Sequence, residues 1–199
     1  MRSTAIVLAG GESKRMGTDK IFLELNKKRI IDFVLEITTK IFKETIIVSN
    51  NCENFNGYSV KTIKDKMNHL KKSSLRGIYS GLSEIDSEYG FVIGGDMPFI
   101  NSNLIEAMVG QIEENAWDVV IPKFGKFYEP LFAIYHKSCL SNIKQQLLSE
   151  NHRIVSFFST KKVLTLSKNY CKQYDPDLIS FFNVNTPSQL EIARRYLDN

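Results

Sequence analysis

Cysteine is scarce in this chain of 199 residues: only Cys52, Cys139 and Cys171 occur, far apart and odd in number. That spacing excludes a disulfide framework and a C-x-x-C metal or redox pair, and it predicts reduced thiols. The three histidines, His69, His136 and His152, are equally scattered. None lies at the short spacing that zinc ligands on one element require, so no structural zinc is expected. No apolar run approaches the roughly 20 residues that span a bilayer, which excludes a transmembrane helix. Lys and Arg total 26 against 22 Asp and Glu, a net charge of +4, with the cations dispersed rather than gathered in a block. Neither a nucleic-acid nor a membrane partner is called for. The opening Met1-Arg2-Ser3-Thr4 enters an apolar strand at once, without a signal-peptide h-region. This predicts a cytoplasmic protein.

What is present is ordinary globular material. With 43% hydrophobic and 24% charged residues, the chain is long enough for a sizeable core in a single domain over 1–199. Strand and helix patterns alternate, which predicts an α/β fold with a mainly parallel sheet. Ile30, Ile31, Val34, Ile37 and Ile41 recur near helical spacing over 30–42. Strands are expected at 45–49, 58–63, 90–94, 117–121, 131–135 and 163–166, with Pro122 closing the fourth of these. Helices are expected from Ser102 or Asn103 to 114, over 140–149, and briefly near 154–158. Lys123-Phe124-Gly125-Lys126-Phe127-Tyr128 reads as a glycine-centred turn in a substrate-facing insertion. Thr186-Pro187-Ser188-Gln189 has the form of a capping box that starts a helix to about 197.

The chemistry begins directly after the first strand, in Leu8-Ala9-Gly10-Gly11-Glu12-Ser13-Lys14-Arg15-Met16-Gly17-Thr18-Asp19-Lys20. Adjacent glycines let phosphate oxygens approach backbone N–H groups, and Lys14, Arg15 and Lys20 can neutralise the charge those amides hold. The loop predicts an anion cradle for a nucleotide triphosphate. It is not a P-loop, since Lys20 follows no glycine and precedes no Ser or Thr, and it has no G-x-G-x-x-G. Those differences point away from ATPases and dehydrogenases.

Asp96, in Ile93-Gly94-Gly95-Asp96-Met97-Pro98, leaves the carboxyl end of a hydrophobic strand, where open α/β sheets place ligands. A carboxylate there suits Mg²⁺, which needs only one or two protein carboxylates and completes its shell with water and phosphate. The same residue can equally cap the following turn. Asp65 is a second carboxylate at a strand end, and Asn183 and Asn185 point the same way if their segment is extended. Phe157 and Phe158 read as core.

These motifs together resemble one family. The loop is similar to the signature L-A-G-G-x-S-x-R-M-G-x-D-K of the molybdenum cofactor guanylyltransferases (MobA). Gly95-Asp96-Met97-Pro98 resembles the family's C-D-x-P, with glycine for cysteine. Gly77-Ile78-Tyr79-Ser80-Gly81 stands for its G-P-L-x-G loop, with both glycines kept and the proline lost, and reads equally as a glycine-marked helix start that packs on the sheet. Glu129-Pro130-Leu131-Phe132-Ala133-Ile134-Tyr135, the Arg153 segment and Phe182-Asn183-Val184-Asn185-Thr186-Pro187 follow in family order.

The resemblance implies a Rossmann-like three-layer nucleotidyltransferase that transfers GMP from GTP to Mo-molybdopterin, with Mg²⁺ as cofactor and pyrophosphate as the other product. It implies catalytic roles for Lys20, Arg15 and Asp96, with the metal on Asp96. Nucleotide contacts would come from Leu8, Ala9, Gly10, Gly11, Lys20, Asn50, Asp65, Gly77 and Asp96, with Arg76 a bystander. Acceptor contacts would come from Arg153, Asn183 and Asn185. Proteins that deliver molybdopterin or receive the finished cofactor are the expected protein partners. A related enzyme using CTP or another NTP on a different phosphorylated acceptor is the rival reading. A noncatalytic guanine-nucleotide-binding partner in cofactor assembly is the other, although it would be expected to lose Lys20 or Asp96, and both are present.

Overall fold

The computed structural model describes residues 3–10 and 20–198. In chain order the elements are β1 (Ser3–Leu8), β2 (Glu24–Leu25), β3 (Lys28–Arg29), α1 (Ile30–Ile41), β4 (Thr45–Val48) and β5 (Lys61–Ile63). There follow α2 (Ser74–Leu82), β6 (Tyr89–Gly94), α3 (Ser102–Glu114), β7 (Val119–Phe124), β8 (Phe127–Tyr128) and β9 (Phe132–His136). The chain ends with α4 (Leu140–Leu148), β10 (Val163–Ser167), α5 (Lys168–Lys172) and α6 (Pro187–Asp198).

The main sheet runs β10-β7-β9-β6-β1-β4-β5, with β8 added on β7. Parallel pairing joins β5, β4, β1 and β6, and also β7 and β10; β9 is antiparallel to both its neighbours. The fold is therefore the mainly parallel α/β sheet that the alternating pattern predicts. Its central strands are buried on both faces, so they read as continuous apolar runs. Ala5, Val7, Phe91 and Ile93 pack beneath Ile31 and Val34 of α1 and Leu104, Ile105 and Met108 of α3. Ile6, Ile46 and Val92 face the other way, against Leu75, Ile78 and Leu82 of α2 and Ile143 and Leu147 of α4. Helices thus cover both faces, and the layers are three.

Several local expectations are corrected. The strand expected at 58–63 forms as β5 only over its last three residues, and the one expected at 117–121 begins at Val119 rather than at Trp117. Pro122 does not close β7 but lies inside it. Its carbonyl accepts from the Glu129 N–H at 3.0 Å, and β9 pairs with β7 only at Val119 and Val120. On that same side the Glu129 carbonyl accepts from the Phe132 N–H at 3.0 Å, so the acceptor that a donor at position 122 would meet is already taken. The N-cap of α3 is Asn101, whose Oδ1 accepts from the N–H groups of Asn103 and Leu104 at 2.9 and 3.2 Å. Of the two readings of 77–81 the helical one holds: the segment lies within α2, which Ser73 caps by accepting from the Arg76 N–H. Gly125, at φ +61°, makes the turn between β7 and β8 as expected. At α6, Thr186 Oγ1 accepts from Gln189 N at 3.2 Å, and Gln189 Oε1 reaches back to accept from the Asn185 N–H at 2.8 Å and from the Thr186 hydroxyl at 3.3 Å.

The connectivity creates one switch point. From β1 the chain moves outward to β4 and β5, then returns to place β6 on the other side of β1. The carboxyl ends of β1 and β6 therefore diverge side by side, with Leu8 opposite Gly94. Open α/β sheets bind ligands at such a crevice.

Candidate active site

A cavity of about 670 Å³ opens at that switch point. Its floor is the end of β1, from Leu8 through Ala9 to Gly10, beside Gly94. The backbone is tied down on both sides: Ala9 N donates to Val48 O and Gly95 N to Leu8 O, each at 3.0 Å.

At the β6 side three residues from distant parts of the chain converge. Lys20 Nζ forms an ion pair with Asp96 Oδ2 and also donates to Asn185 Oδ1. Asp96 is held from the other direction, since its carbonyl accepts from Val184 N at 2.9 Å. The irregular segment before α6 is thereby docked onto the turn after β6. Asp96 and Asn185 present two hard oxygens to one cation, and all three side chains face the cavity.

At the β5 side stands Asp65, buried and bounding the same cavity. Its Oδ2 pairs with Arg76 Nη2 at 2.9 Å and accepts from Asn50 Nδ2 at 3.4 Å. Asn50 Oδ1 in turn accepts from Asp65 N at 3.3 Å. Among the described residues Asp65 Oδ1 has no hydrogen-bond partner. Gly77 completes this wall: a Cβ there would lie 3.3 Å from Leu8 Cδ2 and 3.8 Å from Asp65 Oδ1.

Of the residues singled out from the sequence, Leu8, Ala9, Gly10, Lys20, Asp65, Gly77, Asp96 and Asn185 meet around this one cavity. Asn50 stands behind Asp65 rather than on the wall. Gly11 and Arg15 lie outside the described residues. Arg153 is exposed and Asn183 turns its amide to Phe181 O at 3.0 Å, and neither bounds the cavity. Phe157 and Phe158 are buried in the core. None of residues 123–128 reaches the cavity; β8 folds back along β7 instead, and the insertion is not substrate-facing there.

Two features escaped the sequence reading. Lys71, Lys72, Ser73 and Ser74 form the cavity's rim at the start of α2, a position signalled only by the capping serine that follows two lysines. Arg76 is no bystander but the buried partner of Asp65. Among the described residues no group of three or more His, Cys, Asp or Glu side chains can cage a metal. No helix of the described residues is long and apolar enough to cross a membrane.

Comparisons with known proteins agree with this geometry. The family model described as the MobA-like NTP transferase domain matches residues 5–163. The chain is 53% identical over 196 residues to a protein of Natranaerobius thermophilus named probable molybdenum cofactor guanylyltransferase, covering 98% of this chain and 96% of that one. It is 35% identical over 191 residues to the molybdenum cofactor guanylyltransferase of Desulfosudis oleivorans, covering 96% and 93%. Its structure is similar to the crystal structure of molybdopterin-guanine dinucleotide biosynthesis protein A from Archaeoglobus fulgidus, with a TM-score of 0.86, 28% identity and 98% of each chain covered.

Proposed function

The chain belongs to the MobA-like NTP transferase family and is a nucleotidyltransferase, and on that footing we propose that it transfers GMP from GTP to Mo-molybdopterin and releases pyrophosphate. One observation carries the reading. A single cavity holds an unpartnered carboxylate oxygen, Asp65 Oδ1, beyond β5 and the Lys20–Asp96–Asn185 cluster beyond β6. Strands β4 and β1 lie between them, so the two ends stand roughly 14 Å apart at about 4.8 Å per strand. That is the length over which a nucleotide places its base at one end and its reacting phosphates at the other.

At the base end, Asp65 Oδ1 would accept from guanine, and Gly77 would leave room for the ring. Asn50 supports the carboxylate from behind. Toward the phosphate end, the Ala9 N–H is tied to Val48 O, and the Gly10 amide that follows it is the group assigned to phosphate oxygens. Gly11 and Arg15 extend the same loop and are assigned to the triphosphate with it. Arg153, Asn183 and Asn185 are assigned to the acceptor, and both halves of the site belong to one domain spanning 1–199.

In the reaction an oxygen of the acceptor phosphate forms a bond to the α-phosphorus. The bond from the α-phosphorus to the bridging oxygen breaks, and its electron pair leaves with pyrophosphate. No protein nucleophile is consumed, so catalysis rests on alignment and charge stabilisation. Lys20, held by Asp96 and Asn185, offsets negative charge on the departing pyrophosphate.

The residues fit Mg²⁺. Asp96 Oδ2 and Asn185 Oδ1 already flank one cationic group, and Mg²⁺ prefers such hard oxygens with water and phosphate completing its shell. They are the residues that would hold it, and when bound it supplies charge stabilisation at the reacting phosphates. Incubating the protein with Mg²⁺, molybdopterin and each NTP in turn, then identifying the dinucleotide by mass, tests the assignment. A guanine dinucleotide is expected; a different dinucleotide, or none, would refute it.

A further inference from the structure

The ion pair of Asp65 and Arg76 is almost wholly enclosed, with side chains 6% and 4% exposed. Stability alone explains it poorly. Arg76 sits in the first turn of α2, where the helix dipole presents its positive end and disfavours a cation. An apolar pair of similar volume is commonly as stable as a buried ion pair, or more so. What the ion pair does, and an apolar pair cannot, is orient a carboxylate.

Both donors that reach Asp65 from the side chains of Arg76 and Asn50 fall on Oδ2, at 2.9 and 3.4 Å. Oδ1 is left buried and unpartnered on the Gly77 side of the cavity. The other arm of the guanidinium donates from Nη1 to Leu70 O at 2.6 Å, which ties the segment following β5 to α2. Arg76 therefore fixes both the rotation of the carboxylate and the backbone that carries it.

We propose that Arg76 is a positioning residue for base selection, acting through Asp65 and not touching the nucleotide. This inference rests on the guanylyl-transfer reading above and deepens it. With Oδ2 saturated, one vacant oxygen faces the base. The edge that satisfies it carries a ring N–H and an adjacent exocyclic amine, as in a 2-amino-6-oxopurine. A purine without the amine offers one donor, and a base without either donor leaves a buried charged acceptor unpaired.

The test measures kcat and KM for GTP and for ITP, which lacks the 2-amino group, with molybdopterin and Mg²⁺. Wild type, Arg76→Met and Arg76→Lys are compared, alongside thermal unfolding. Arg76→Met is expected to raise KM for GTP by roughly tenfold to a hundredfold, the scale of hydrogen bonds to a charged group. Its kcat should fall less, and its preference for GTP over ITP should move toward unity; Arg76→Lys should recover part of that preference. Folded variants that keep the wild-type GTP-to-ITP ratio would show Arg76 to be structural only and overturn the proposal. Should Arg76→Met not fold, Asn50→Ala loosens the same carboxylate from its other side, and an unchanged ratio there and in Arg76→Lys overturns it equally. A wild type that uses ITP as well as GTP also overturns it. A wild type with no preference for GTP over CTP brings down the guanine reading itself, which separates that failure from failure of the Arg76 role.

Discussion

Lys20 and Asp96 form an ion pair across 76 positions of sequence, and the same ammonium donates to Asn185, 165 residues beyond it. The end of the loop after β1, the turn after β6 and the segment before α6 thus meet at one point. That convergence gives the cavity an organised charge at the place where phosphates would react.

Asp96→Asn should fold normally and lose turnover. The backbone bond from Val184 to the Asp96 carbonyl survives the change, while the anionic ligand and the partner of Lys20 do not. Loss of metal-assisted charge stabilisation is worth several kcal/mol, so kcat should fall by about a hundredfold or more. Turnover near wild type at limiting Mg²⁺ would contradict the assignment.

Lys20→Ala should cost activity on a similar scale and little stability. The Lys20 and Asp96 side chains are 16% and 15% exposed and border an open cavity, so water can solvate Asp96 once the ammonium is gone. The unfolding midpoint should move by no more than about 4 °C. A collapse of the melting transition would make Lys20 structural.

Two glycines of α2 should separate binding from folding. Gly81→Ala places a Cβ 2.3 Å from Ile6 Cγ2 and 3.2 Å from Val48 Cγ2, overpacking that should cost about 1–3 kcal/mol with KM unchanged. Gly77→Ala meets only the movable tip of Leu8 at 3.3 Å and the cavity wall near Asp65. It should leave stability nearly constant and raise KM for GTP. Denaturant titration with steady-state kinetics on both variants checks the contrast.

Much of this was legible in the sequence because the signals were local. The apolar run of β1, the loop leading to Lys20, Asp96 at a strand end and the Thr186-Pro187 helix start each announce themselves within a few residues. The structure adds what only folding supplies. Arg76 meets Asp65 because α2 turns back over the end of β5, and no spacing rule links a helix-turn arginine to that aspartate. Asn185 reaches Lys20 only through the docking of the segment before α6. Pro122 misled because proline ordinarily ends a strand, whereas here it faces Glu129, whose carbonyl is already taken by the Phe132 N–H. The 77–81 segment read equally as a loop or a helix start, and only the close packing of α2 on β1 decides between them.

Thiol reactivity should follow burial. Cys139 and Cys171 are fully enclosed, and burial pushes their thiols up to about 12 and about 11, far from the thiolate form that reacts. Cys52 is only partly covered. An alkylating probe at neutral pH should label Cys52 in the native protein and all three after denaturation, read by peptide mass. Native labelling of Cys139 would contradict the packing.

The central claim is that the Asp65 end of the cavity selects guanine while the Lys20–Asp96 end aligns the phosphates for transfer. Steady-state kcat/KM for GTP and for CTP, measured with the same molybdopterin acceptor and Mg²⁺, tests it most directly. The account predicts a strong preference for GTP, since cytosine carries an exocyclic amine but no adjacent ring N–H and so offers Asp65 Oδ1 no matching pair of donors. Equal values, or a preference for CTP, would contradict it.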